Sequence, residues 1–141
     1  SMIDGPTTAD DLDKTSANRD RVRAFVDEVL IRRRLDRLEQ YINGSSTYTE
    51  HNPKIGDGPS SLRVALSECT ADGSKVIQYE KNHRLLAEGS FVLSVSEGVL
   101  NGVHTSFYDL FRLSEGNLVE HWDTTEAVPP RPEWRNDNGK F

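Results

Sequence analysis

The segment from Asp109 to Asp123, near the end of the chain, most constrains the fold. Two apolar-rich stretches flank the connection Ser114-Glu115-Gly116, a pattern that predicts an antiparallel β-hairpin. Gly116 would supply the positive φ that a three-residue loop with a bulge requires.

The register of this hairpin decides which side chains lie together. Placing Leu113 opposite Asn117 puts Asp109 opposite His121. Asp123 follows His121 by two residues, so it shares the same face of its strand. A register shifted by two residues would keep the three ionisable groups on one face, whereas a shift of one residue would separate Asp109 from the other two.

Aromatic side chains share that face. Phe107 and Phe111 project with Asp109, and carboxylates and an imidazole are expensive to bury on an apolar surface without a purpose. The hairpin therefore predicts an acid–base site.

Size and charge narrow the function classes. The 141 residues fit one domain, and the net charge of −6 argues against nucleic-acid binding. No stretch has the length of a membrane span. Cys69 is the single cysteine, so an internal disulfide is impossible and a cytoplasmic location is expected. Cys69 follows apolar residues at helical spacing, which predicts a buried thiol.

The run Arg32–Arg34 is the densest group of basic residues, and such a run is typical of a solvated helix face.

The chain divides into a flexible segment, residues 1–17, and a single domain, residues 18–141. Apolar residues at helical spacing between Val22 and Ile42 predict one long helix or two successive ones, ending at Asn43-Gly44. Pro59 suits the first turn of another helix that would run to about Cys69.

The second half of the chain has the pattern of strands. They are predicted at residues 76–87, 91–97, 102–113 and 117–128, and the prolines after Val128 end the sheet. Helices followed by antiparallel strands predict an α+β fold, with helices on one face of a curved sheet.

Four short motifs carry a resemblance to a known family. The motifs are Tyr48-x-x-His51-Asn52-Pro53, His83-Arg84 before Ala87-Glu88-Gly89, Asp109-x-Phe111-Arg112-Leu113, and Glu120-His121-Trp122-Asp123. Together they resemble the SnoaL-like proteins of the nuclear transport factor 2 and ketosteroid isomerase superfamily. The resemblance covers about residues 19–141, and the ending Asn138-Gly139-Lys140-Phe141 also looks like that of many members.

The resemblance implies a cone-shaped α+β barrel with a pocket at its open end and a homodimer formed through the outer sheet face. It implies acid–base chemistry without a cofactor or metal, as in the polyketide cyclases, although other members are isomerases, dehydratases, epoxide hydrolases or binding proteins. Asp123 matches the cyclase acid/base aspartate, while Asp109 stands where the cyclase has a histidine. Arg112 lies at odd spacing from Asp109 and should face away from the pocket, which weakens the epoxide hydrolase alternative.

Each candidate residue has a functional and a structural interpretation. Asp123 could be the general base, or it could only hold the His121 side chain in place. Asp109 could orient the imidazole of His121 for catalysis, or it could only provide the hydrogen bond that a buried imidazole needs. His51 and Asn52 could bind a substrate oxygen or be structural polar groups in the turn before Pro53.

Aromatic candidates divide in the same way. Tyr48, Phe107 and Phe111 could contact a ligand or only pack in the core. His83 could be a less important ligand contact, or a core histidine whose hydrogen bonds are made within the protein. Trp122 should face the outer sheet surface and a dimer interface. His104 should be exposed.

Two function classes follow. The first is a lyase- or isomerase-type enzyme for a small apolar carbonyl compound, with Asp123 moving the proton and His121 and Asp109 tuning it. The second is a protein that binds a small apolar ligand without catalysis. Asp109, His121, Asp123 and His51 could in principle ligate a metal, but the spacing matches no established zinc motif, so no metal is expected.

Overall fold

In the part of the chain that the structure describes, three α-helices pack on a five-stranded curled sheet that does not close, which confirms the predicted α+β class. The structure is a computed structural model and describes residues 2–43 and 48–141. The principal elements are α1 (Thr15–Phe25), α2 (Leu38–Tyr41), β1 (Thr49–Glu50), α3 (Gly58–Ser67), β2 (Ile77–Glu88), β3 (Phe91–Leu100), β4 (Val103–Ser114) and β5 (Asn117–Ala127).

The N-terminal helical region packs one apolar stripe against the inner face of the sheet. The helical spacing is confirmed, since the apolar residues of this stripe are buried: Val22, Phe25, Val26, Val29 and Leu30. After α1 the chain continues in π-helical geometry over Val26–Ile31. This stripe covers the inner face of the sheet, and Phe25 and Leu30 from it line the cavity onto which the candidate site residues of the sheet open.

A break at Arg33 separates this region from α2, so the two-helix alternative is the correct one. Arg33 has a φ of 59°, and its guanidinium donates to the carbonyl oxygens of Ile77, at 2.9 Å, and Leu66. The prediction of a solvated basic run is therefore wrong at Arg33, because this side chain joins the break to two other elements. The predicted helix stop at Gly44 lies outside the described residues.

The third helix is shorter than predicted. It begins at Gly58, with Pro59 in its first turn as expected, and ends at Ser67. Cys69 therefore lies beyond the helix, in a bridge with Lys75, and is exposed. The prediction of a buried thiol is wrong, because the apolar spacing continues past the point where the helix ends.

The four predicted strands are present as β2 to β5, and with β1 they form one sheet in the order β1-β5-β4-β3-β2. The hairpin turn differs from the prediction: Ser114 pairs with Asn117, which leaves the two-residue turn Glu115-Gly116. Both turn residues have positive φ, 51° and 79°, as the tight hairpin turns with left-handed central residues require. The bulge lies instead further along the ladder, next to Arg112 and Leu113.

Strand β1 has no counterpart among the strands predicted from the sequence. Its two residues pair in parallel with β5, Thr49 with Glu120 and Glu50 with His121. The backbone N–H of His51 extends the pairing by donating to the His121 carbonyl oxygen at 3.0 Å. This short strand carries Glu50 to the side of the predicted acid–base site.

Both terminal segments lie against the sheet. The backbone N–H of Ser90 donates to the Asp10 carbonyl oxygen at 2.7 Å, and Trp122 Nε1 donates to the Asp4 carbonyl oxygen, also at 2.7 Å. The helical region starts within the segment predicted to be flexible, whose mobility stays a prediction. None of the helices described in residues 2–43 and 48–141 has the length and apolar character that crossing a membrane requires.

Candidate active site

The observed register brings the three predicted ionisable groups together. Asp109 lies opposite Asp123, and Phe111 lies opposite His121, two residues away from the predicted pairing. A shift of two residues preserves the face of every side chain, so Asp109, His121 and Asp123 still project to the same side.

His121 is held between two carboxylates. Its Nε2 lies 2.8 Å from Asp109 Oδ1, and its Nδ1 lies 2.8 and 2.9 Å from the two oxygens of Glu50. The side chains are 7% exposed for His121, 2% for Asp109 and 0% for Glu50. An imidazole that donates from both nitrogens must be protonated. The geometry therefore describes an imidazolium between two buried anions.

The pKa of His121 agrees with this charge state. Burial alone would lower the pKa of the imidazole, but the hydrogen bonds to Asp109 and Glu50 outweigh it and raise the pKa to about 10. Phe111 covers one face of the ring, with centroids 4.8 Å apart. A pKa of about 10 corresponds to a protonated His121 at neutral pH, in agreement with its two hydrogen bonds to carboxylates.

Glu50 is the functional residue that sequence reasoning missed. The carboxylate is fully buried and accepts hydrogen bonds from Tyr48 OH at 3.2 Å and from the backbone N–H of Asn52 at 3.0 Å. A strand of two residues has no periodicity to reveal it. The available signal was its position immediately before His51-Asn52-Pro53, a segment already expected to be rigid and non-helical.

Two tyrosine hydroxyls complete the buried network. Tyr79 OH donates to Asp109 Oδ2 at 2.8 Å, as Tyr48 OH does to Glu50. Burial, followed by the nearby carboxylates, raises the pKa of both phenols well above the usual value. Both hydroxyls therefore stay protonated and remain donors to the two anions that hold His121.

Asp123 differs from the other two acids in its environment. Its Oδ2 accepts one hydrogen bond from Asn52 Nδ2, at 3.0 Å. Burial raises its pKa, while the positive charge of His121 and the bond from Asn52 act in the opposite direction. A carboxyl group with a raised pKa can exchange a proton nearer to neutral pH than an exposed aspartate can.

A cavity of about 380 Å³ lies in front of these groups. Its wall includes Asp109, His121 and Asp123 together with Asn52 and Tyr48. Phe107, Phe111 and Tyr79 add aromatic surface, and the Tyr79 and Phe107 rings are 4.3 Å apart. An apolar cavity with polar groups at one end has the size and character of a small-molecule site.

Two predicted contact residues lie elsewhere. His83 does not line this cavity; it bonds Glu97, at 2.8 Å, and stacks on Phe141. An irregularity in the pairing of β2 next to His83 redirects the strand there, which the alternation pattern could not reveal. His104 is exposed, as predicted.

His51 is also outside the cavity lining. Because successive residues of an extended chain alternate in direction, Glu50 at the end of β1 points inward and His51, which follows it, points outward. His51 Nε2 donates to Glu120 Oε1 at 2.8 Å, and its ring stacks on Trp122 with centroids 4.7 Å apart. The prediction that His51 reaches a substrate oxygen at the pocket rim is therefore wrong, whereas Asn52 does reach the cavity.

Arg112 and Trp122 project from the outer face, as their spacing predicted. Arg112 Nε donates to Glu120 Oε2 at 2.8 Å, and the guanidinium does not line the cavity. An Asp-Arg-Asp arrangement is therefore not formed at this site.

The site offers atoms to a cation as well as to a proton. One atom each from Asp109, His121 and Asp123 lies within 4.8 Å of the others. Both nitrogens of His121 already face carboxylates at hydrogen-bond distance, which favours a protonated imidazole over a metal ligand. That the site works without a metal stays a prediction.

Comparison with known proteins places the fold. No family model matches the sequence, and no curated protein matches it significantly. Solved structures do match. A protein from Kribbella flavida provisionally assigned as a ketosteroid isomerase superposes with a TM-score of 0.66 at 16% identity, covering 91% of this chain and 93% of that one. The fold is nuclear transport factor 2-like.

Other structures with the nuclear transport factor 2-like fold differ in their assignments. A provisionally assigned SnoaL-like polyketide cyclase from a Jannaschia species matches with a TM-score of 0.59 at 16% identity, over 86% of this chain and 92% of that one. An epoxide hydrolase from M. tuberculosis matches with a TM-score of 0.54 at 18% identity, over 80% and 85%. The fold resemblance is confirmed, and the activity must be argued from the site.

Proposed function

We propose that this protein is an acid–base enzyme that moves a proton on a small, largely apolar carbonyl compound bound in the cavity. The observation that carries the proposal is a carboxyl group of raised pKa, Asp123, at the polar end of an apolar cavity beside the imidazolium of His121. A base of this kind and a fixed positive charge are what enolisation needs.

In the proposed reaction Asp123 accepts a proton from the carbon next to the substrate carbonyl. The electrons of the broken C–H bond move onto the carbonyl oxygen and give an enolate. In a substrate with a β,γ double bond the enolate is conjugated, and return of the proton from Asp123 to the γ carbon moves the double bond and isomerises the substrate. Attack of the enolate carbon on a second carbonyl of the same molecule instead forms a carbon–carbon bond and an alkoxide, and Asp123 returns its proton to that alkoxide, which completes an aldol-type cyclisation.

His121 contributes charge rather than a proton in this scheme. Because Asp109 and Glu50 accept both of its N–H groups, the imidazolium stays charged while negative charge moves from Asp123 to the substrate oxygen. A preorganised charge in a site with little water acts more strongly than the same charge in solution. Asn52 fixes the orientation of the Asp123 carboxyl.

The test follows deuterium from heavy water into a panel of cyclic and linear ketones, by NMR. We expect the wild-type protein to accelerate exchange beside the carbonyl and Asp123→Asn to lose at least about 100-fold of that acceleration, the lower range for a positioned base. Asp20→Asn is the matched control. Asp20 is exposed on α1, and its ion pair is with Arg23, which is also exposed. Exchange that persists in Asp123→Asn would contradict the role of Asp123.

A second candidate function is ligand binding without catalysis. It is favoured by the hydrogen bonds of the buried network, since His121, Tyr48 and Tyr79 all donate to carboxylates, so these three donors are not directed at a substrate oxygen. Saturable ketone binding with no exchange above the buffer rate, for every compound of the panel, would support this candidate.

A further inference from the structure

Two rows of ionisable side chains cross the same part of the sheet on opposite faces. The inner row is Asp109 on β4, His121 on β5 and Glu50 on β1, with the imidazole between two carboxylates. The outer row is Arg112 on β4, Glu120 on β5 and His51 directly after β1, with the carboxylate between two donors. The central members, Glu120 and His121, are adjacent in sequence, as are Glu50 and His51.

Strand β1 depends on side chains for its position. It has two residues and pairs with a single neighbour, so few backbone hydrogen bonds hold it. A short edge strand of this kind is expected to open locally more easily than the long ladders between β2 and β5. Since Glu50 lies on this strand, any displacement of β1 would draw the carboxylate away from His121.

The side chains of the outer row connect the chain at β1 to β5. Glu120 accepts from both Arg112 and His51 at 2.8 Å, and the side chains of Glu120 and His51 are 7% and 8% exposed. The His51 ring lies parallel to Trp122, within 5°. Hydrogen bonds that a carboxylate accepts at low exposure are stronger than those at an open surface.

We propose that His51 and Glu120 are positioning residues: from the outer face they fasten β1 to β5, and they thereby hold Glu50 against His121 inside the site. Neither side chain lines the cavity, so both act through Glu50. The inference concerns the free protein and does not depend on the proposed function.

The test uses ¹H–¹⁵N NMR, without substrate, to measure the chemical shift of the Nδ1–H proton of His121 and the rate at which it exchanges with solvent. In the wild-type protein the Nδ1–H proton should resonate far downfield and exchange slowly with solvent, because it is donated to buried Glu50. In Glu120→Gln and in His51→Phe we expect that proton to exchange about tenfold faster or more, since losing a charge-assisted hydrogen bond eases local opening. His51→Phe keeps a ring to stack on Trp122 and removes the bond to Glu120.

A matched control is available on the same sheet. Glu97 also accepts from two partners, His83 at 2.8 Å and His104 at 2.6 Å, and it lies on β3, away from β1. Glu97→Gln should leave the exchange of the His121 proton unchanged. A folded Glu120→Gln with wild-type exchange overturns the proposal, and so does equal acceleration in all three variants, which would indicate general destabilisation. If Glu120→Gln does not fold, His51→Phe against Glu97→Gln decides the question in the same way.

Discussion

At the scale of single residues, Asn52 controls how readily Asp123 takes up a proton. Burial raises the pKa of Asp123, and the hydrogen bond from Asn52 lowers it by stabilising the carboxylate. Asn52→Ala should therefore raise this pKa further. If Asp123 is the base, the acid limb of the pH–rate profile for ketone exchange should move to higher pH in Asn52→Ala.

The control for that measurement is Asn136→Ala, in the exposed C-terminal tail, which should keep the wild-type profile. An acid limb that stays in place in Asn52→Ala would show that another group governs it.

The raised pKa of His121 links the same network to stability. The folded pKa of about 10 lies above the unfolded value of about 6.5. The protonated imidazole therefore stabilises the fold fully below the unfolded pKa, and this contribution is lost as pH rises through the folded pKa. By linkage, one proton can account for at most about 4 kcal/mol between pH 7 and pH 10.

Urea denaturation measures the free energy of unfolding at pH 7 and at pH 10. We expect this free energy to decrease more between the two pH values in the control Asp20→Asn than in Asp109→Asn. Asp109→Asn removes one of the two carboxylates that raise the pKa, so less of the stability depends on the proton. Parallel pH dependences would argue against a proton held between Asp109 and Glu50.

At the scale of elements, Arg33 joins three parts of the fold through one side chain. It occupies the break before α2 and donates to carbonyl groups at the end of α3 and at the start of β2. Arg33→Ala should destabilise the protein by about 1–3 kcal/mol, the range for buried acceptors left without a donor. Chemical denaturation measures the loss.

The neighbouring residue provides the control. Arg34 is exposed and forms an ion pair with Asp36 at 3.6 Å, so Arg34→Ala should change stability by no more than about 0.5 kcal/mol. Equal effects at the two positions would mean that the side chain of Arg33 contributes nothing beyond its surface charge.

The length of an element decided what the sequence could predict. The strands β2 to β5 have ten to twelve residues each, and their alternation and turn signals are long enough to identify them. The hairpin turn was misassigned because Glu115 adopts a positive φ that glutamate rarely takes. The turn moved the register by one residue and the bulge next to Arg112 and Leu113 moved it by another, so the total shift of two residues left the faces correct.

The candidate site was predictable where it lay on long strands. Asp109, His121 and Asp123 could be grouped by alternation, and so could Phe107 and Phe111. Glu50 could not, because its strand is defined by tertiary pairing with β5 rather than by a local pattern. His51 was misplaced for the same reason, since the side to which it points depends on that pairing.

At the scale of the whole molecule, the chain covers part of its own outer sheet face. Residues near the N-terminus line a groove together with Phe91, Leu110 and Trp122, and Asp4 accepts a hydrogen bond from Trp122. The C-terminal Phe141 stacks on His83. The predicted homodimer would use this same face and stays a prediction. A partner would have to pack on the terminal segments or displace them.

The N-terminal segment should therefore limit self-association. Deleting residues 2–9 would uncover Phe91, Leu110 and Trp122, next to Leu86, which is already 60% exposed. An apolar patch of this kind promotes association, so we expect the shortened protein to sediment as a larger species than the full chain at the same micromolar concentration. Adding Trp122→Ser to the shortened protein should reverse the effect, because it removes the largest apolar side chain of the patch. Identical sedimentation of the full and shortened chains would mean that the segment does not protect this face.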